Sequence, residues 1–121
     1  MGNIISLDEV KKYLIRIKQS ITKGNYRFEG RRKNLRSLGK IGILPSHVKE
    51  VVLQLTCLDY FNGPEEEQNT AFPPGEYMFF GCQVESYEFF VKLKIEKVED
   101  DDYCVCIAFH IAERKIFYAF K

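Results

Sequence analysis

The chain has 121 residues and a formal net charge of +1, with 45% hydrophobic residues that include ten Phe and seven Tyr. That length and apolar content suffice for a single domain, residues 1–121, with its own core; they exclude a disordered chain and a scaffold that depends on disulfides or a metal. The small net charge hides an asymmetry: residues 1–50 carry +8 and residues 51–121 carry −7, so the first half suits phosphates and the second suits loop solvation or a basic partner.

Met1-Gly2-Asn3-Ile4-Ile5-Ser6 fits a myristoylation pattern. Ser6-Leu7-Asp8-Glu9 is also a capping box, which makes Ser6 the cap of a first helix. Val10, Tyr13, Leu14, Ile17 and Ile21 recur at helical spacing until Gly24 closes the segment. Asn25 to Gly30 alternates briefly and reads as an edge strand or an extended lead-in to the next helix. Arg31 to Lys40 forms a second helix carrying Leu35 and Leu38, with Gly39 and Gly42 near its end. Pro45-Ser46 opens a third helix through Val48, Val51, Val52 and Leu55, with His47 a surface residue at its start. Thr56-Cys57-Leu58-Asp59 is a second capping box, for a short turn containing Tyr60 and Phe61.

Asn62 to Gly75 is a loop by composition, rich in Gly, Pro and Glu. Three strands follow, Glu76 to Gln83, Tyr87 to Lys97 and Tyr103 to Ala112, with turns at Glu85-Ser86 and Glu99-Asp100-Asp101-Asp102. The tail from Glu113 to Lys121 keeps Ile116, Phe117, Tyr118 and Phe120, too apolar to stay loose, so it docks on the domain. The fold class is therefore α+β, with N-terminal helices packed on a C-terminal antiparallel sheet. No apolar run is long enough to span a bilayer and no secretory signal is evident, so no membrane is expected. The four cysteines lack paired metal-ligand spacing, and Cys104-x-Cys106-x3-His110 lies on one strand, where neighbours cannot wrap a tetrahedral ion. Reduced thiols in a cytosol fit best.

The chemistry concentrates on the last two strands. Phe89, Val91, Leu93 and Ile95 point to one side of the first, leaving Lys92, Lys94 and Glu96 opposite. On the second, Tyr103, Val105, Ile107, Phe109 and Ile111 form the apolar face, with Cys104, Cys106, Ala108 and His110 opposite. In an antiparallel hairpin Lys94 then faces Cys106, Lys92 faces Ala108, and His110 comes within diagonal reach of Lys92. Small residues opposite long basic ones leave a hollow, and Tyr77 and Phe79 join the same face. Such a face suits a phosphodiester: histidine moves protons near neutral pH, two lysines offset charge on phosphate, and Tyr77 offers a hydroxyl or a stacking surface. RNA cleavage through the 2′-hydroxyl needs no metal or cofactor. Arg27, Arg31, Arg32, Lys33 and Arg36 form a basic run placed to steer RNA into the site.

In order and spacing the capped first helix, Arg31-Arg32-Lys33-Asn34-Leu35, Leu55-Thr56 followed by Asp59-Tyr60-Phe61-Asn62, Val91-Lys92-Leu93-Lys94-Ile95 and Ala108-Phe109-His110 resemble the MqsR family of bacterial toxins. These are small RelE-like messenger-RNA interferases, and the resemblance runs from about Val10 to Ala112. It implies a RelE-like fold, metal-independent cleavage of messenger RNA, and neutralisation by a cognate antitoxin. By position it brings Lys92 and His110 into the active site, with Lys94 on their face. Some relatives have lysine at the positions of Asn62 and His110, and tyrosine at that of Lys92. A non-catalytic nucleic-acid-binding module and a protein-interaction domain, docking through a sheet edge or the acidic loop, are the alternatives.

Overall fold

The structure is a computed structural model and describes residues 2–121. Its first element is the expected helix, α1 (Leu7–Thr22), started by a complete capping box in which Ser6 Oγ accepts from the Glu9 amide while Glu9 reaches back to the Ser6 amide. Val10, Leu14, Ile17 and Ile21 are its buried stripe. Tyr13 is only half-buried, because its hydroxyl is drawn to the Glu76 carboxylate at 3.1 Å. After α1 come β1 (Tyr26–Phe28), α2 (Arg32–Ile41) and α3 (Val48–Leu53), the last entered through a single 3₁₀ turn at Pro45–His47. Gly42, at φ 76°, takes the left-handed conformation that ends α2.

Four strands complete the chain: β2 (Tyr60–Glu66), β3 (Gly75–Val84), β4 (Tyr87–Val98) and β5 (Asp101–Ile111). They form one sheet with β1, in the order β1-β5-β4-β3-β2. The α+β class holds, but the sheet is mixed: β1 runs parallel to β5 while the other three pairings are antiparallel. A second correction concerns residues 60–66, expected as a turn and a loop. They form an edge strand against β3, where one free side tolerates Pro64 and lets Glu65 and Glu66 face water. The Thr56 capping box is present, but it closes only Cys57–Asp59. The β4–β5 turn is shorter than expected, with Glu99 and Asp100 alone at positive φ and Asp101 and Asp102 inside β5.

A further correction decides which residues share a face. Lys92 pairs with Ala108 as expected, but Leu93 pairs with Cys106 and Lys94 with Val105. Ile107 is thus an extra residue, a bulge that reverses the alternation of β5 below it. Cys104 and Cys106 belong to the core beside Phe109, while Val105 lies on the face of Lys94. The small-residue hollow expected opposite the lysines is therefore absent there. Asn34 in α2 holds the bulge: its Nδ2 donates to the Ile107 carbonyl at 3.0 Å and its Oδ1 accepts from the Phe109 amide at 3.0 Å. Ser37 Oγ accepts from the Ile111 amide at 2.9 Å. β1 reaches only Cys104–Cys106, so these side chains satisfy the edge of β5 beyond it. That is why Asn34 and Ser37 line the inner face of α2 beside Leu38, while Leu35 is exposed.

The core lies on one side of the sheet. Met78, Phe80, Phe89, Val91, Leu93 and Ile95 meet the buried residues of α1 and α3 there. The tail docks as expected: Ile116 is buried, Tyr118 donates to Glu88 Oε2 at 2.8 Å, and Phe120 stacks on Tyr60 at 5.9 Å between centroids. Gly81 makes this possible, since a Cβ there would strike Ile116 at 2.7 Å and collide with Tyr118. Among the described residues no helix is long and apolar enough to cross a membrane.

Candidate functional site

The side of the sheet away from the core carries Tyr77, Phe79 and Gly81 from β3, Phe90, Lys92, Lys94 and Glu96 from β4, and Val105, Ala108 and His110 from β5. Registers Tyr77↔Lys94, Phe79↔Lys92, Lys92↔Ala108 and Phe90↔His110 fix the row. All four catalytic candidates, Tyr77, Lys92, Lys94 and His110, lie on this face. They do not share one environment.

At one end the ammonium of Lys94 is fully engaged. It donates to Glu67 Oε1 at 3.0 Å and the Pro73 carbonyl at 2.6 Å, and lies 3.1 Å from Glu96 Oε2. A lysine has three N–H donors, so none is left for a substrate, and the residue is only 2% exposed. The Tyr77 hydroxyl also donates to Glu67 Oε1. Together these bonds hold the Glu67 carboxyl down at about 2, the Tyr77 bond first and the Lys94 bond second. Burial, then that carboxylate, pushes the Tyr77 phenol up to about 12. Arg27 and Arg31 close this end from β1 and the start of α2, and both are part-neutralised: Arg27 lies 3.5 Å from Glu29 and 3.9 Å from Glu96, and Arg31 lies 3.7 Å from Glu29.

Lys92 occupies the middle. Its Nζ sits over the Tyr77 ring at 4.3 Å and within 5.5 Å of the Phe79 centroid. Burial holds its ammonium below the usual lysine range, against the opposing pull of Glu65. Unlike Lys94 it makes no ion pair among the described residues and stays half-exposed. Beyond it Phe61, Phe79 and Phe90 form a triangle with centroids 6.0–6.1 Å apart.

His110 stands at the far end, its ring stacked on Phe90 at 5.2 Å and 27°. Its Nδ1 lies 3.0 Å from the Ile111 carbonyl. A carbonyl oxygen only accepts, so Nδ1 carries a proton and Nε2 is the nitrogen left for other work. His110 lines a pocket of about 520 Å³ with Phe61 and Phe90 from the sheet, Lys33 from α2, and residues 112–117 of the tail. Lys33 is paired with Glu113 at 3.1 Å. Arg32 and Arg36 are exposed and make no ion pair among the described residues. The basic run is therefore divided, with Arg27 and Arg31 at the Lys94 end and Lys33 at the His110 pocket.

Asn62, where the resemblance has a lysine, accepts from the Asn3 amide at 2.6 Å and donates to Glu65 at 2.8 Å. Sequence reasoning missed Phe90 and Phe61 as partners of His110, although the parity of β4 already put Phe90 on the face of Lys92. It also missed Glu67, which reaches the sheet from a loop that carries no periodicity, and that the docked tail walls the His110 pocket. Among the described residues no group of His, Cys, Asp and Glu is arranged to hold a metal. The chain matches no protein-family model, no curated protein and no solved structure.

Proposed function

We propose that this protein is a cytoplasmic, RelE-like endoribonuclease toxin that cleaves messenger RNA without a metal and is neutralised by a cognate antitoxin. The observation that carries the reading is the placement of His110. Its Nδ1 is held by the Ile111 carbonyl, its ring is backed by Phe90, and its free Nε2 stands at the head of an aromatic row that runs to the unpaired ammonium of Lys92. In the reaction Nε2 takes the proton of an RNA 2′-hydroxyl, the 2′-oxygen forms a bond to phosphorus, and the P–O5′ bond breaks. The products are a 2′,3′-cyclic phosphate and a 5′-hydroxyl, the leaving oxygen taking its proton from the imidazolium or from water. Lys92 offsets the charge that builds on the phosphoryl oxygens, and the half-exposed rings of Phe61 and Phe90 supply stacking surfaces for unpaired bases.

Purified protein incubated with single-stranded RNA in EDTA is expected to give fragments ending in cyclic phosphate, and His110→Ala is expected to stop this while circular dichroism shows the fold intact. Intact RNA, or equal cutting by the variant, overturns the proposal. Overproduction should arrest growth, and a short neighbouring reading frame supplied together with it should relieve the arrest. The Phe61–Phe79–Phe90 triangle also favours a second reading, RNA binding without cleavage, which unbroken but tightly bound RNA would select.

A further inference from the structure

We infer that the pocket between the C-terminal tail and the sheet is a subsite for one unpaired nucleobase of the bound RNA, with Phe117 as its outer stacking wall; this rests on the reading of RNA as the ligand. The pocket exists because Gly81 lets Ile116 and Tyr118 lie against the second face of the sheet. Ile116 is 7% exposed and Tyr118 is tied to Glu88, yet Phe117 between them is 78% exposed on the pocket wall. A ring held in water by two docked neighbours does no work for the core. The half-exposed Phe61 and Phe90 line the same pocket.

The charges around these rings identify the occupant. Glu113 is the one carboxylate lining the pocket, and Lys33 already pairs with it at 3.1 Å. Arg114 and Lys115 also line it and make no ion pair among the described residues. Lys115 instead lies over the Phe117 ring at 5.6 Å. Flat apolar walls call for a planar ring, and unpaired cations at the rim call for an anion attached to it. An aliphatic ligand would leave the cations unused, and a free phosphate would leave the rings unused. A base with its flanking phosphate uses both, and it sits in the pocket that His110 lines, beside the bond to be cut.

The test uses the intact protein and a 2′-O-methyl oligonucleotide, which lacks the attacking hydroxyl and so reports binding alone. Phe117→Ala is expected to weaken its binding about tenfold, with unchanged thermal unfolding because the ring is exposed. In a series with one abasic position each, one member should lose the same factor against the parent protein and nothing more against Phe117→Ala. Phe117→Tyr should bind as the parent does. Unchanged affinity of Phe117→Ala, additive losses, or no binding of the oligonucleotide overturns the subsite. RNA cutting with no such coupling overturns the subsite and leaves the nuclease standing; coupling with no cutting supports the subsite and removes the nuclease.

Discussion

The two ends of the second sheet face were built from similar residues and have opposite fates. At one end Lys94 and Tyr77 meet Glu67 and Glu96 and use up their donors. At the other end Lys92 meets aromatic rings and keeps its donors, while His110 spends Nδ1 on the Ile111 carbonyl and keeps Nε2. Strand alternation brings a residue to a face. Whether its charge is then available depends on what the loops deliver to that face, and here the segment carrying Glu67 and Pro73 closes one end while the tail walls the other without filling it.

The sharpest way to break this contrast is to compare a variant at each end. His110→Ala should lower cleavage about 10²–10⁴-fold, the range for a lost general base, in a chain that still folds by circular dichroism but melts somewhat lower, because the residue is 9% exposed and its ring is stacked on Phe90. Lys94→Met should do the reverse: it leaves Glu67 and Glu96 shielded without their cation and costs about 3–5 kcal/mol in a denaturant titration. Activity per folded molecule should stay within a few fold of the parent. A Lys94→Met protein that is stable but inactive would return Lys94 to the catalytic group.

Much of the fold was legible in the sequence, and what escaped has a common cause. Both capping boxes, the stripe of α1 and the β3–β4 and β4–β5 hairpins are local patterns, and each was readable from neighbours in sequence. The bulge at Ile107 was not. Tyr103, Val105, Ile107, Phe109 and Ile111 alternate without a break, and nothing local says that Cys104 and Cys106 are to be the core residues instead. The deciding group is Asn34, more than 70 residues away in sequence. Glu67 escaped in a similar way, since its cation partner Lys94 lies on another strand 27 residues on, and the bond from the Asn3 amide to Asn62 spans 59 residues. The candidate site was legible as a set of residues on one face, but not as two separate environments.

Gly81→Ala tests the wall of the open end. The added methyl has to displace Ile116 and Tyr118, so an overpacking cost of about 1–3 kcal/mol is expected, together with faster protease cleavage near residues 113–117. Unaltered protease sensitivity would mean that the bonds to Glu88 and the Phe120–Tyr60 stack hold the tail without the close approach at residue 81. Lys92→Gln should have a smaller effect. It should weaken RNA association by about one phosphate contact and lower the slope of log affinity against log salt by about one, where Lys94→Met leaves that slope unchanged. Equal slopes for the two variants would erase the distinction between the ends.

The smallest effect separates the ends by pH and salt. Glu67 at the closed end has its carboxyl held at about 2, and Glu113 at the open end is also held below the ordinary value of 4.5, through Lys33. A depressed carboxyl contributes stability above its unfolded value, and that contribution is lost as pH falls through the folded one. Both should therefore show as a decline in melting temperature on acidification from about pH 4.5 toward 2. Salt should tell them apart, because Lys94 and Glu67 are 3% and 9% exposed in their side chains whereas Lys33 and Glu113 are 56% and 68% exposed. At about 1 M salt the screening length falls to about 3 Å and exposed pairs fade while shielded ones persist. Glu113→Gln should thus change the acid limb only at low salt, and Glu67→Gln should flatten it at both. A Glu67 contribution that vanishes in salt would mean that water reaches Lys94, and that the closed end is open after all.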